Sequence, residues 1–181
     1  MKEVLRLDHG VLTHFPASDG RNKPALILCP GGGYEYCSIR EGAPVARAFA
    51  RDGVEAFVLE YDCTEVPLGV KPLHTLSASV AWVREPAAQL GIAADRIAVG
   101  GFSAGAHLAG LLAATWHDAD WPAGTDLQAH RPNAAVLSGG LGGAYAHRGS
   151  FVRLVGEMLE QRDFRWKRWF RAHAAYICGT P

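Results

Sequence analysis

The chain has 181 residues, enough for one domain with a sizeable core, and its 49% apolar and 20% charged residues are a globular mixture. Lys+Arg and Asp+Glu are equal at 18 each, so no bulk charge draws it to nucleic acid or to an acidic membrane surface. The N-terminus, Met1-Lys-Glu-Val-Leu-Arg-Leu-Asp8, is too charged for a signal peptide, and no apolar run reaches the length of a membrane span. Cys29, Cys37, Cys63 and Cys178 lack CxxC spacing, so a reduced, cytoplasmic protein is expected, with Cys37 a partly buried thiol near a glycine loop.

In chain order, residues 4–7 and 11–15 carry β-type side chains around Asp8-His-Gly10 and predict an N-terminal hairpin. Residues 18–22 form a loop by their turn chemistry. Ala25-Leu-Ile-Leu-Cys29 has the composition of a buried strand and is followed by Pro30-Gly-Gly-Gly-Tyr34. Residues 41–51 predict a helix closed by Gly53, and residues 54–61 a strand. Strand, helix, strand is a βαβ unit, which favours a parallel sheet. Residues 62–73, with Pro67, Pro72 and Gly69, predict a loop. A helix is expected over 77–90, with Ala78, Ala81, Trp82 and Leu90 near one face and a kink at Pro86. A buried strand around 97–99, a helix from 104 to about 116, a polar loop over 117–132 and a strand over 134–138 complete the pattern. There is no internal repeat and no linker dividing the chain.

The organising stretch is Arg96-Ile-Ala-Val-Gly-Gly-Phe-Ser-Ala-Gly-Ala-His-Leu-Ala-Gly110. Gly101-Phe-Ser-Ala-Gly105 sits between a strand pattern and a helix pattern, the context that gives Gly-x-Ser-x-Gly its specificity. A serine on so sharp a turn has strained dihedrals, and glycines two residues either side remove the side chains that would clash. Its hydroxyl is left exposed at a helix N-terminus, where amides and the helix dipole favour negative charge. The triple glycine after residue 29 lets main-chain amides face a ligand. One donor from that loop and one from Ala104 would make an oxyanion hole.

With both motifs in this order, the sequence resembles the α/β-hydrolase esterases of the acetyl-esterase and hormone-sensitive-lipase type, in particular the acetyl-xylan-esterase-like branch. The resemblance rests on residues 30–34, 53–61, 82–84, 95–108, 132–138 and 146–151, and extends to about residue 156. It implies an α/β-hydrolase fold, a mostly parallel sheet flanked by helices, with Ser103 as nucleophile and the amides of Gly32, Gly33 and Ala104 as oxyanion donors. The substrate expected is a small acyl ester, an acetyl group on a carbohydrate in the first instance, and no cofactor is expected. Tyr34 and His147 are candidates to shape the pocket. For His147 a hydrogen-bonded loop histidine is the plainer alternative.

The triad's acid and histidine follow the serine in chain order, on loops after two further strands in the resembled family. The chain ends at Pro181, before those strands could be completed, so the family's acid and histidine have no counterparts to carry over. Asp163 and His173 follow in the required order, but both sit in the tail with no strand pattern between them. His107, four residues after Ser103, reads as a core or supporting histidine. Residues 157–181 are more basic and aromatic than the core of 1–156 and fit an amphipathic helix better than a nucleic-acid contact. A truncation or shift of reading frame is expected, and the nucleotide sequence tests it: downstream bases in another frame should encode an Asp loop and a terminal His. A sheet ending at 134–138 would expose an edge and promote self-association. Ser138-Gly139-Gly140 departs from the bulkier Tyr-Pro type of continuation usual in the family, which puts substrate preference in doubt.

Other chemistries fit less well. Residues 31–33 lack the Gly-Lys-Ser/Thr ending of a P-loop, and 100–105 fail Gly-x-Gly-x-x-Gly. His117, Asp118 and Asp120 are better explained by a solvated loop than by a metal site. The remaining alternative to an esterase is a remnant that keeps the pocket and has lost turnover.

Overall fold

A computed structural model describes residues 4–18, 20–63, 68–117 and 121–138. Six strands are β1 (Val4–Leu7), β2 (Gly10–Phe15), β3 (Lys23–Cys29), β4 (Glu55–Tyr61), β5 (Ile92–Phe102) and β6 (Ala134–Ser138). The helices are α1 (Ala43–Arg51), α2 (Lys71–Arg84), α3 (Ala104–Thr115) and the single turn α4 (Leu127–His130). The sheet order is β1-β2-β4-β3-β5-β6. β1 and β2 form the expected antiparallel hairpin, and β2 runs antiparallel to β4. The β4-β3, β3-β5 and β5-β6 pairs are parallel.

The strands alternate their side chains between two apolar layers, as a sheet covered on both faces requires. Ala56 and Val58 join Phe15, Ala46 and the partly buried Phe49 under α1. Phe57, Leu59, Ile27, Ile97 and Val99 face the opposite layer, with Leu73, Leu76, Val80 and Val83 of α2 and Leu108 and Leu112 of α3. Each of these large side chains contributes about 1.5–3 kcal/mol by leaving water. α1 starts with a proline in its first turn and stops at Gly53, whose φ of 84° lets Val54 N–H reach back to Phe49 O at 3.1 Å.

Three expectations are corrected. α2 begins at Lys71 rather than 77, because Pro72 occupies its first turn, where no N–H is needed. It ends at Arg84, before Pro86 could kink it, and residues 85–90 are turns. Its buried face is therefore the stripe Leu73, Leu76, Val80 and Val83, with Ala78, Ala81 and Trp82 on the half-buried flank. The stretch 117–132 contains α4, capped by Asp126, whose carboxylate accepts from the amides of Gln128 (3.0 Å) and Ala129 (3.3 Å). β5 is also longer than its apolar centre. Lys23 pairs with Ile92 and Ala25 with Ile97, so the register jumps at Pro24, which has no N–H to give to the ladder.

Arg84 ties the C-terminal half together. Its guanidinium donates to the carbonyls of Ala94, Gln128, Ala129 and Arg131 and to Asn133 Oδ1. Asn133 in turn exchanges hydrogen bonds with Ile97, accepting at Oδ1 (3.0 Å) and donating its amide to Ile97 O (2.8 Å). One planar fork thus fixes α4 and the entry of β6 against β5. Residues 157–181, the family-like segment 139–156, Cys178 and the expected boundary at 156 lie outside the described residues.

Candidate active site

Ser103 is the sole residue between β5 and α3. Gly101 and Phe102 still pair in the sheet, and Ala104 already belongs to the helix. The chain therefore reverses within one residue, at φ 50° and ψ −115°. A non-glycine residue there stores about 1–3 kcal/mol of strain. Its neighbours explain how the strain is held. A Cβ on Gly101 would lie 2.4 Å from Cys29 O, and one on Gly105 would lie 2.0 Å from the same oxygen. The glycine spacing lets α3 press onto the end of β3, and that contact leaves Ser103 no room to relax. Ser103 is exposed. Its amide donates to Ser138 O at 3.2 Å, so the elbow is also pinned to the end of β6.

The glycine loop packs against this turn. A Cβ on Gly31 would sit 3.1 Å from Ser103 Cβ and 2.7 Å from Phe102 O. Gly32 has φ 138° and Gly33 φ 65°; a side chain on Gly32 would run into Tyr36 O, whereas Gly33 faces open space. Among the described residues, the amides of Gly32, Gly33 and Ala104 have no backbone acceptor. The structure thus brings Ser103 and the three candidate donors into one neighbourhood at the carboxyl ends of β3 and β5, where open α/β sheets bind ligands.

The loop is held from behind by Ser38, Glu41 and Tyr61. Glu41 Oε2 accepts from Gly31 N–H at 2.8 Å, and Ser38 N–H donates to Gly31 O at 2.8 Å. Tyr61, the last residue of β4, donates its hydroxyl to Pro30 O at 2.7 Å. Tyr34 is buried, at φ 65°, with its ring 5.7 Å from that of Tyr61. Its hydroxyl meets His107 Nδ1 at 2.8 Å. Tyr34 therefore supports the loop from the core side rather than lining an open pocket. Burial pulls His107 down to about 4, so its imidazole is neutral at pH 7 and is spent on holding Tyr34. This agrees with a supporting histidine. Asp163, His173 and His147 lie outside the described residues. So do Asp118 and Asp120, and no cluster of metal-binding side chains occurs among the described residues. Nor is any described helix long and apolar enough to cross a membrane.

Glu41 and Tyr61 were not legible as site residues, because they lie 10 and 31 residues from the groups they hold. The nearest signal was the adjacency of Tyr61 to a strand end, which many tyrosines share.

Residues 13–135, more than half of the chain, match the BD-FAE family. The chain belongs to the BD-FAE family. Across 146 residues it is 35% identical to an endo-1,4-beta-xylanase B of Butyrivibrio fibrisolvens, covering 77% of this chain and 23% of that protein. It is 33% identical to a carboxylesterase, NlhH, of Mycobacterium tuberculosis over 64% of this chain and 36% of that one. Among solved structures, it resembles an acetyl ester-xyloside bifunctional hydrolase from Caldicellulosiruptor lactoaceticus, with a TM-score of 0.63 and 29% identity over 79% of this chain and 54% of that one. A sugar hydrolase from Lactococcus lactis superposes with a TM-score of 0.66 and 26% identity, over 78% of this chain and 54% of that one. This BD-FAE chain thus has the α/β-hydrolase fold of esterases and spans about half the length of those solved structures, and about a quarter to a third of the two curated relatives.

Proposed function

We propose that this chain is a serine ester hydrolase acting on small acyl esters, acetyl-type and carbohydrate-linked in the first instance. The observation that carries the reading is Ser103, an exposed hydroxyl on a strained one-residue turn with the glycine loop packed against it. Ser103 Oγ attacks the acyl carbonyl and gives its proton to a general base. The alkoxide oxygen of the tetrahedral intermediate accepts hydrogen bonds from the amides of Gly32, Gly33 and Ala104, the alcohol leaves with a proton, and water releases the acid. The acid and base are sought in Asp163 and His173; His107, neutral and bonded to Tyr34, is poorly placed for the role. No cofactor enters this chemistry, and the setting proposed is cytoplasmic. Val136 and Leu137 on β6 are exposed, and pairing with a second copy along this edge is part of the reading.

The test is hydrolysis of a chromogenic acetyl ester by the parent and by Ser103→Ala, together with labelling by a phosphonate. Parent turnover that the substitution abolishes supports the enzyme. Labelling at residue 103 without turnover supports a remnant that keeps the activated serine and lacks its base. No labelling and no turnover overturns the serine as nucleophile.

A further inference from the structure

Two thiols meet behind the glycine loop, and the ester chemistry uses neither. Cys37 lies just beyond that loop, and Cys63 lies two residues past the end of β4. Both sulfurs approach the same carbonyl oxygen, that of Tyr61, at 3.5 Å for Cys37 and 3.4 Å for Cys63. The two thiols therefore converge on one acceptor from segments 26 residues apart in the chain. Both are half-buried, in contrast to Cys29, which is sealed in the core. The geometry points to Cys37 and Cys63 as a modification site, a thiol pair that a hydroperoxide converts into an intramolecular disulfide.

The closeness of the two thiols to one carbonyl, and their unequal surroundings, set the order of events. The neighbouring Cys37 side chain holds the Cys63 thiol below the ordinary range, against smaller opposing effects of burial and of the Asp62 carboxylate. Cys63 and burial together push Cys37 up. Cys63 is thus the sulfur that ionises and attacks, and Cys37 the one that resolves. The Cys63 thiolate displaces water from hydrogen peroxide, after protonation of the departing hydroxide, and becomes a sulfenic acid. The Cys37 sulfur then attacks the sulfenic sulfur, and a second water leaves with the Cys37 proton. Two thiols lose two electrons and two protons, and one peroxide becomes two waters. The bond would link the chain next to Ser38, whose amide holds Gly31 O, to the end of β4.

The experiment is mass spectrometric and independent of ester hydrolysis. Reduced full-length protein is treated with one equivalent of hydrogen peroxide, alkylated and digested without reduction. The expected result is a peptide pair linked through residues 37 and 63 that dithiothreitol separates, with Cys29 still alkylated only after unfolding. In Cys37→Ser the link is absent and dimedone traps a sulfenic acid on Cys63, whereas Cys63→Ser gives no dimedone adduct on Cys37. A link from either residue to Cys178, or oxidation that spares both thiols, overturns the proposal. So does a dimedone adduct on Cys37 in Cys63→Ser.

Discussion

The two ends of the central strands are built on opposite terms. At the amino ends of β3 and β4, Glu55 and His14 are buried beside the half-buried Lys23, and among the described residues no buried side-chain polar atom lacks a partner. Glu55 takes His14 Nε2 at 2.6 Å and Lys23 Nζ and accepts the amide of Ala17, while the His14 ring stacks on Phe57. At the carboxyl ends the backbone is strained at Ser103 and left-handed at Gly33 and Tyr34, and among the described residues the amides of Gly32, Gly33 and Ala104 lack a backbone acceptor. The contrast separates two uses of polar groups in one sheet. Satisfied groups lock the far end, and at the proposed site amides without a described backbone acceptor are left for a substrate oxygen to complete.

The sharpest way to break that contrast is Ser103→Ala. Hydrolysis of an acetyl ester should fall by about 10³-fold or more, equivalent to at least about 4 kcal/mol of barrier, with the melting temperature unchanged. Glu55→Ala should do the reverse. It leaves His14 and Lys23 without their shared carboxylate and should cost about 3 kcal/mol in urea unfolding, while residual folded protein keeps its phosphonate labelling. Gly105→Ala tests how the strain is held. A Cβ 2.0 Å from Cys29 O forces α3 off β3, for about 2 kcal/mol or more, whereas Gly33→Ala meets no atom and should cost only the penalty of its φ, about 1 kcal/mol.

The pH dependence sharpens the same comparison on the site side. His107 titrates near 6.5 when unfolded and is lowered to about 4 by burial in the fold. The unfolded chain therefore binds the extra proton first as pH falls. The stability from a neutral His107 is complete above pH 6.5 and is lost between about 6.5 and 4, for about 2 kcal/mol once partial solvent contact is allowed for. Melting temperatures followed from pH 7.5 to 4 should show this acid limb, and His107→Asn should flatten it. Tyr34→Phe removes the 2.8 Å bond to His107 and should, like Gly33→Ala, cost only about 1 kcal/mol in urea unfolding.

Much of the fold could be read in one dimension. The hairpin, the βαβ unit and the strand–elbow–helix stood where the pattern put them, because each is decided by neighbours a few residues apart. α2 was misplaced at both ends for a related reason. Pro72 reads as a loop residue unless it is known to begin a helix, and Pro86 as a kink unless the helix has already stopped. α4 is a single turn held by Asp126 and by the Arg84 fork, and an isolated four-residue helix has no periodicity to detect.

The Gly-x-Ser-x-Gly spacing was enough to specify the strained serine, since the clashes it avoids arise within one turn of chain. What sits behind that serine was settled by sheet order. Placing β4 beside β3, and β3 beside β5, brings Glu41 to Gly31, Tyr61 to Pro30, His107 to Tyr34 and Cys63 to Cys37. Those partners are 10 to 73 residues apart along the chain, and only packing of the strands and their crossovers makes them neighbours.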